Sequence, residues 1–236
     1  MTPELVRSAA ENSVPVPGIN VSRLDWDLKR ITPGEFDKYW HERQVQVIPP
    51  SLFEPNREIW LEIGAGSGTF FVEMARQNPD AFLIAIERSR DRGNRLVRKA
   101  AKAKLPNLAG FRGNAIPAVI TGIPSNSLSR IYIMYPCPWA KTAHRKNRWY
   151  LHPLMQHLVR VLKPGGRLLW TSDQKFYIDE ARFICESRYG MKVQVHGEIS
   201  PNSYNDLGNF PGGRTKFERT FLGQGLPCYE VVVEKV

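Results

Sequence analysis

An α/β domain with a mostly parallel, doubly wound sheet is the expectation for this chain, and three observations point to it. Apolar strand-like runs alternate with helical segments from residue 59 onward. The first run leads straight into a glycine-rich turn, and the second ends on an acid. Strands that read as nearly continuous apolar runs, separated by helices, are those of a parallel sheet covered on both faces.

The elements follow in order. Residues 1–48 read as an N-terminal arm with a short helix: Pro3, Pro15, Pro17 and Gly18 break any period. Thr32-Pro33-Gly34-Glu35 then has the form of a capping box, ahead of Phe36, Tyr39 and Trp40. Residues 49–56, with Pro49, Pro50 and Pro55, form a stiff connector, and 57–236 form the α/β domain. Strands are expected at 59–63, 81–87, 108–112, 131–135 and 166–171, with helices at 69–78, 89–104, 150–162 and 174–188. Two further strands, 191–196 and 229–233, complete a seven-stranded sheet with no helix expected between them. They flank a Gly/Asn/Pro-rich loop at 201–213, whose length suggests a functional lid or disorder.

The chain has 236 residues, which suits one domain with an arm. No apolar run approaches the roughly 18 residues of a membrane helix, and residues 1–30 lack the pattern of a secretory signal. Cys137, Cys185 and Cys228 form neither a zinc pair nor a disulfide framework, so a reducing cytoplasm is expected, with no metal and no membrane. With 33 Lys and Arg against 23 Asp and Glu the net charge is +10, which points to a polyanionic partner.

That charge is concentrated. Arg88, Arg92, Arg95, Lys99 and Lys102 step by 4, 3, 4 and 3 along one helical stripe, with Val97, Ala100 and Ala101 on the side expected to pack on the sheet. The stripe is read either as a solvated face or as a phosphate contact. A second cluster, Lys141, Arg145, Lys146 and Arg148, is interleaved with Trp139, His144, Trp149 and Tyr150. Cations that fix phosphates beside rings that stack on bases favour RNA.

Strand 59–63 runs into Gly64-Ala65-Gly66-Ser67-Gly68, where glycines allow a sharp turn and close approach of a ligand. Glu87, ending the next strand, is placed to bind a ribose diol, as an adenosine-containing cofactor requires. The spacing Glu62-x-Gly64-x-Gly66-x-Gly68 differs from a dinucleotide fingerprint, and Glu62 suits a cofactor with an amino group and a sulfonium. Asn114 is the candidate for the adenine edge, or else a turn residue.

The motif order LEIGAGSG, IAIE, P-x-P-W-x-K-x-x-H, LKPGG, Ser172-Asp173 and Thr215-Lys216-Phe217-Glu218 resembles the bacterial tRNA (guanine-N7)-methyltransferase family, from about Ile59 to Val233. The resemblance implies a Rossmann-like class I methyltransferase fold, S-adenosyl-L-methionine as cofactor and tRNA as partner. It implies that Glu62, Gly64, Gly66, Gly68, Glu87 and Asn114 bind the cofactor. Lys141, His144, Asp173, Thr215, Lys216, Phe217 and Glu218 would hold the target nucleotide, with Arg145, Lys146 and Arg148 on phosphates. The bland readings are a helix cap for Asp173 and a solvated strand residue for Glu218. At the catalytic loop this chain has Cys137 where the family has an aspartate between the two prolines. Three readings follow: guanine-N7 methylation, another RNA target such as cytosine C5 through the Cys137 thiolate, or a silent RNA-binding relative. Whether the protein is a monomer or homodimer is left open by the sequence.

Overall fold

The computed structural model describes residues 48–53, 56–200 and 210–236. The N-terminal arm and its capping-box helix lie outside the described residues, as do residues 54–55 of the connector and 201–209 of the long loop.

Seven strands form one sheet in the order β3-β2-β1-β4-β5-β7-β6. They are β1 (Glu58–Ile63), β2 (Ala81–Glu87), β3 (Leu108–Arg112), β4 (Leu128–Met134), β5 (Leu162–Ser172), β6 (Lys192–Glu198) and β7 (Tyr229–Glu234). The first five are mutually parallel, and β7 runs antiparallel between β5 and β6. Among the described residues, five α-helices of eight or more residues accompany them: α1 (Thr69–Gln77), α2 (Arg90–Ala103), α3 (Leu154–Val161), α4 (Lys175–Tyr189) and α5 (Lys216–Gly223). Among the described residues no helix is long and apolar enough to cross a membrane.

The alternation of side chains along each central strand feeds two cores. Ile59, Leu61, Ile63, Ile131, Ile133 and Trp170 meet α3 and α4 on one face. Trp60, Leu83, Tyr132 and Leu169 meet Phe70, Phe71 and Met74 of α1 and Leu96 of α2 on the other. Both faces are therefore buried, which is why the strands read as nearly continuous apolar runs.

Three local expectations are corrected. First, α5 stands between β6 and β7, where no helix was expected; Thr215 caps it by accepting the Glu218 N–H at 3.0 Å. Second, α2 packs through Gly93 and Leu96, whereas Val97 is 39% exposed and Ala101 is also exposed. Gly110 of β3 sets that registration. A Cβ there would lie 3.1 Å from Ala100 Cβ and 3.2 Å from Leu96 Cγ, so its absence lets α2 settle onto the strand. Third, the helix expected at 150–162 splits into a 3-10 turn, Trp149–Leu151, and α3, because Pro153 lacks the N–H that a continuous helix needs.

Candidate active site

The carboxyl ends of β1, β2 and β4 lie side by side, and β1 is where the chain reverses its winding direction. Open α/β sheets bind ligands at this position. The glycine turn rises from β1. Gly64, Gly66 and Gly68 all have positive φ, at 80°, 57° and 74°, a region where a side chain is strained. Gly64 and Gly66 face open space, with no atom within 4 Å of an added Cβ. Gly68 instead sits against α2, where a Cβ would lie 2.3 Å from Leu96 Cδ1.

Glu87 fastens this turn. Its Oε2 accepts the Gly66 N–H at 2.9 Å, its Oε1 accepts the Ser89 N–H at 2.7 Å, and Arg92 stands 3.6 Å away. A carboxylate oxygen offers two acceptor directions, so the buried carboxylate keeps capacity for further donors. Beside it, Gly113 donates to the Glu87 carbonyl at 3.0 Å, which brings Asn114 to the same crest. Asn114 caps a short helical turn, its Oδ1 accepting from the Ile116 N–H at 3.0 Å, so it is a turn residue as well as a candidate ligand.

Two buried polar atoms here have no partner among the described residues: Glu62 Oε2 and Asn114 Nδ2. Native interiors satisfy such groups, so orphans at a crest point to a ligand. Burial pushes the Glu62 carboxyl up to about 8, and the neighbouring Glu87 charge adds to the rise. A cation delivered to Glu62 reverses both effects. An acid awaiting a cation, an orphaned amide and open space over two glycines together fit the amino group, adenine and ribose of S-adenosylmethionine.

Next to this crest, the chain leaves β4 through Tyr135 to His144. Tyr135 and Trp139 both have left-handed backbone, φ 50° and 46°, which costs non-glycine residues about 1–3 kcal/mol each. Each is held from outside. The Tyr135 N–H donates to Thr171 O at 3.0 Å, while Arg148 donates to Trp139 O through Nη2 at 3.0 Å and Nε at 3.3 Å. Arg148 itself is anchored by Glu180 of α4, which also accepts from Arg145 Nε at 2.6 Å and from Tyr150 OH at 2.7 Å. Burial opposes the charge on Glu180, yet these three donors hold its carboxyl below the usual range. Glu180 thus anchors the far end of the loop that carries Cys137 and, through Arg148, the Trp139 carbonyl, while Thr171 holds the Tyr135 end.

The comparisons with known proteins decide the family. Residues 56–231 match the family Methyltransf_4, described as "Putative methyltransferase". The chain belongs to this methyltransferase family. It is 29% identical over 216 residues to the tRNA (guanine-N(7)-)-methyltransferase of Saccharophagus degradans, covering 87% of this chain and 91% of that protein. It is 30% identical over 165 residues to a bifunctional methyltransferase of Rickettsia felis, covering 70% of this chain but only 30% of that protein. Its fold is similar to that of a SAM dependent methyltransferase from Aquifex aeolicus, with TM-score 0.52 and 17% identity over the whole of both chains.

The remaining expected site residues of this methyltransferase divide into exposed and internal groups. Cys137, Trp139, Lys141, His144 and Lys146 are exposed on the loop, with the Trp139 and His144 rings 5.7 Å apart. Arg148 is not a phosphate contact: it is 6% exposed and engaged by Glu180 and the loop carbonyls. Tyr150, read as a base-stacking ring, is fully buried in the core. Asp173 is half-buried and accepts from Gln174 Nε2 at 2.7 Å. It caps nothing, because Ser172 Oγ takes the Gln174 N–H at 3.1 Å.

Glu218 is the largest correction. It is neither a solvated strand residue nor open to a nucleotide, but lies fully buried on α5. Its oxygens take Arg214 N and Nε at 2.9 and 3.1 Å, Arg214 Nη2 at 3.1 Å and the Tyr135 hydroxyl at 2.6 Å. Arg214 Nη1 continues to Glu230 at 2.7 Å. Burial opposes these charges, but the ion pairing wins: the Glu218 carboxyl is lowered and the Arg214 guanidinium raised. The knot docks α5 against the β4 loop. It leaves Lys216 exposed and Phe217 39% exposed, the Phe217 ring 4.6 Å from that of Tyr135. Glu230 and Glu180 were not singled out from the sequence, since their partners are 16 to 35 residues away, and neither was Arg214, although its partner Glu218 is only four residues on.

Proposed function

We propose that this protein transfers the methyl group of S-adenosylmethionine to N7 of a guanine in tRNA, acting in the cytoplasm through its domain 57–236. The observation that carries the reading is the match to a tRNA (guanine-N(7)-)-methyltransferase over 91% of that protein's length. The crest supports it from below. Glu62 binds the amino end of the cofactor, Glu87 its ribose and Asn114 its adenine edge, with Gly64, Gly66 and Gly68 keeping the approach open.

The cofactor supplies an electrophilic methyl group when bound. Guanine N7 carries a lone pair in the ring plane, so this chain need not supply a general base. Its task is to hold the base in line, and positioning of that kind contributes several kcal/mol. Asp173 and the face of Phe217 hold the base, with Lys141, His144 and Thr215 beside it and Lys216, Arg145 and Lys146 toward the phosphates. Cys137 occupies the position where the family's aspartate accepts guanine N–H bonds. A thiol accepts weakly, at a cost on the order of 1–3 kcal/mol, or about ten- to a hundredfold in rate.

Labelled methyl transfer from S-adenosylmethionine to unmodified tRNA, followed by digestion to nucleosides, tests the proposal. The label is expected in 7-methylguanosine. Label in 5-methylcytidine supports a thiolate mechanism instead, and no transfer despite cofactor binding supports a silent relative.

A further inference from the structure

We propose that the groove along the outer side of α1 is a second binding site for RNA phosphates, apart from the crest where the base is methylated. The inference deepens the tRNA reading above and rests on it. A cavity of about 560 Å³ opens between α1, the C-terminal half of α2 and the segment that leads into α5. Four cations line it from three separate stretches of sequence: Arg76 on α1, Lys99 and Lys102 on α2, and Arg219 on α5.

One acid in the wall, Glu73, offsets part of this charge. Arg214 reaches the cavity, but its charge is matched internally by Glu218 and Glu230. Glu73 pairs with Arg76 at 3.3 Å and also accepts from Gln77 at 3.0 Å, so it cancels one positive charge and leaves Lys99, Lys102 and Arg219 in excess. The groove is therefore a cationic trough. Its walls are partly fixed: Lys99 Nζ donates to Thr69 Oγ1 at 2.5 Å, and the buried rings of Phe70 and Phe210 meet at 5.1 Å.

Position selects the occupant. The groove begins at Thr69, directly after Gly68 of the glycine turn, so it adjoins the catalytic crest. Lys99 and Lys102 are also the far end of the basic stripe, in which Arg92 stands beside Glu87 at the crest. At 1.5 Å per residue, Arg92 to Lys102 spans about 15 Å of helix. An extended polyanion anchored by one base at the crest runs down this stripe into the groove. A chain of phosphates matches such a line of cations, whereas a single free phosphate meets only one end of it.

Binding of an unmodified tRNA transcript, measured against salt for the full chain, tests the inference. The groove variant R76E/K102E is compared with R182E/K192E, which makes the same change in net charge on α4 and β6, remote from the groove. S-adenosylmethionine affinity and thermal midpoint check that both variants remain folded. Each lost phosphate contact lowers the log–log salt slope by about 0.7–0.9. R76E/K102E is expected to lose roughly 1.5 in slope and at least about tenfold in tRNA affinity at 0.1 M salt, the control far less. Cofactor binding stays unchanged in both. Equal losses in the two variants, with wild-type tRNA binding steep in salt, overturn the groove and leave the methyltransferase reading standing. Absence of tRNA binding by the wild type overturns both.

Discussion

Glu62 makes cofactor binding sensitive to pH in a direction the structure fixes. Its carboxyl is buried beside Glu87 and titrates at about 8, against 4.5 for an unperturbed glutamate. At pH 6 the unliganded protein therefore holds Glu62 protonated. Pairing with the cofactor's ammonium requires the carboxylate, so binding must release that proton. Releasing it two units below its pKa costs about 2.7 kcal/mol, at 1.36 kcal/mol per unit. Affinity for S-adenosylmethionine should accordingly rise about tenfold per pH unit from pH 6 to 7, where the cofactor's α-amino group stays charged. Titration calorimetry in buffers of different ionisation enthalpy should report close to one proton released at pH 6. Glu62→Gln should bind weakly, with no proton release and a flat pH profile. The same linkage acts on folding. A carboxyl raised in the folded state binds more protons there than when unfolded, so wild-type stability should decline from pH 4.5 to 8 relative to Glu62→Gln. Wild-type affinity that is flat between pH 6 and 7, with no proton release, would refute the reasoning.

Glu87→Ala removes the acceptor for the Gly66 and Ser89 N–H groups together with the proposed ribose contact. Cofactor affinity measured by calorimetry should fall about 10- to 100-fold while the protein remains folded. Glu180→Gln leaves the buried Arg148 side chain without its anion. Removing one partner of a buried pair costs about 3 kcal/mol or more, and calorimetric scanning should show a midpoint lower by roughly 6–12 °C. Methyl transfer should drop further than cofactor affinity, because the slackened loop holds the base rather than the cofactor. Cys137→Asp should raise methyl transfer to guanine about ten- to a hundredfold, since a carboxylate accepts both base N–H groups, and Cys137→Ser should change it little. Loss of turnover in both Cys137 variants would mean that the thiolate is a nucleophile.

The sheet was legible because its chemistry is local. Strands buried on both faces must be largely apolar, and β1, β2 and β4 are, apart from Glu58, Glu62, Glu87, Ser129 and Arg130. The glycine turn was legible for a similar reason, since positive φ at Gly64, Gly66 and Gly68 leaves few alternatives to glycine. The C-terminal third was less so. Thr215-x-x-Glu218 has the same capping-box spacing as Thr32-x-x-Glu35, and that signal for α5 was present. Here Glu218 departs from the usual box by reaching the Arg214 N–H, so the motif also builds a buried ion-pair knot. Arg148 shows the limit of reading charge runs. It sits in a basic stretch, but its anion is Glu180, 32 residues onward on another helix. Val97 shows how a helical face slips: the packing side of α2 is set by Leu96 and Ala100 over Gly110 and by Gly93 against Arg112 and the Glu87 carbonyl, which only the strand pairing reveals.

Two transcripts of one tRNA, identical except that every guanine in the second is 7-deazaguanine, test the central claim most directly. The substitution replaces N7 by C–H and leaves the Watson–Crick edge intact. Labelled methyl groups from S-adenosylmethionine should appear in the guanine transcript and be absent from the 7-deaza transcript, with both bound at similar affinity. Equal labelling of the two transcripts would contradict the account, because the methyl group would then have gone to an atom other than N7.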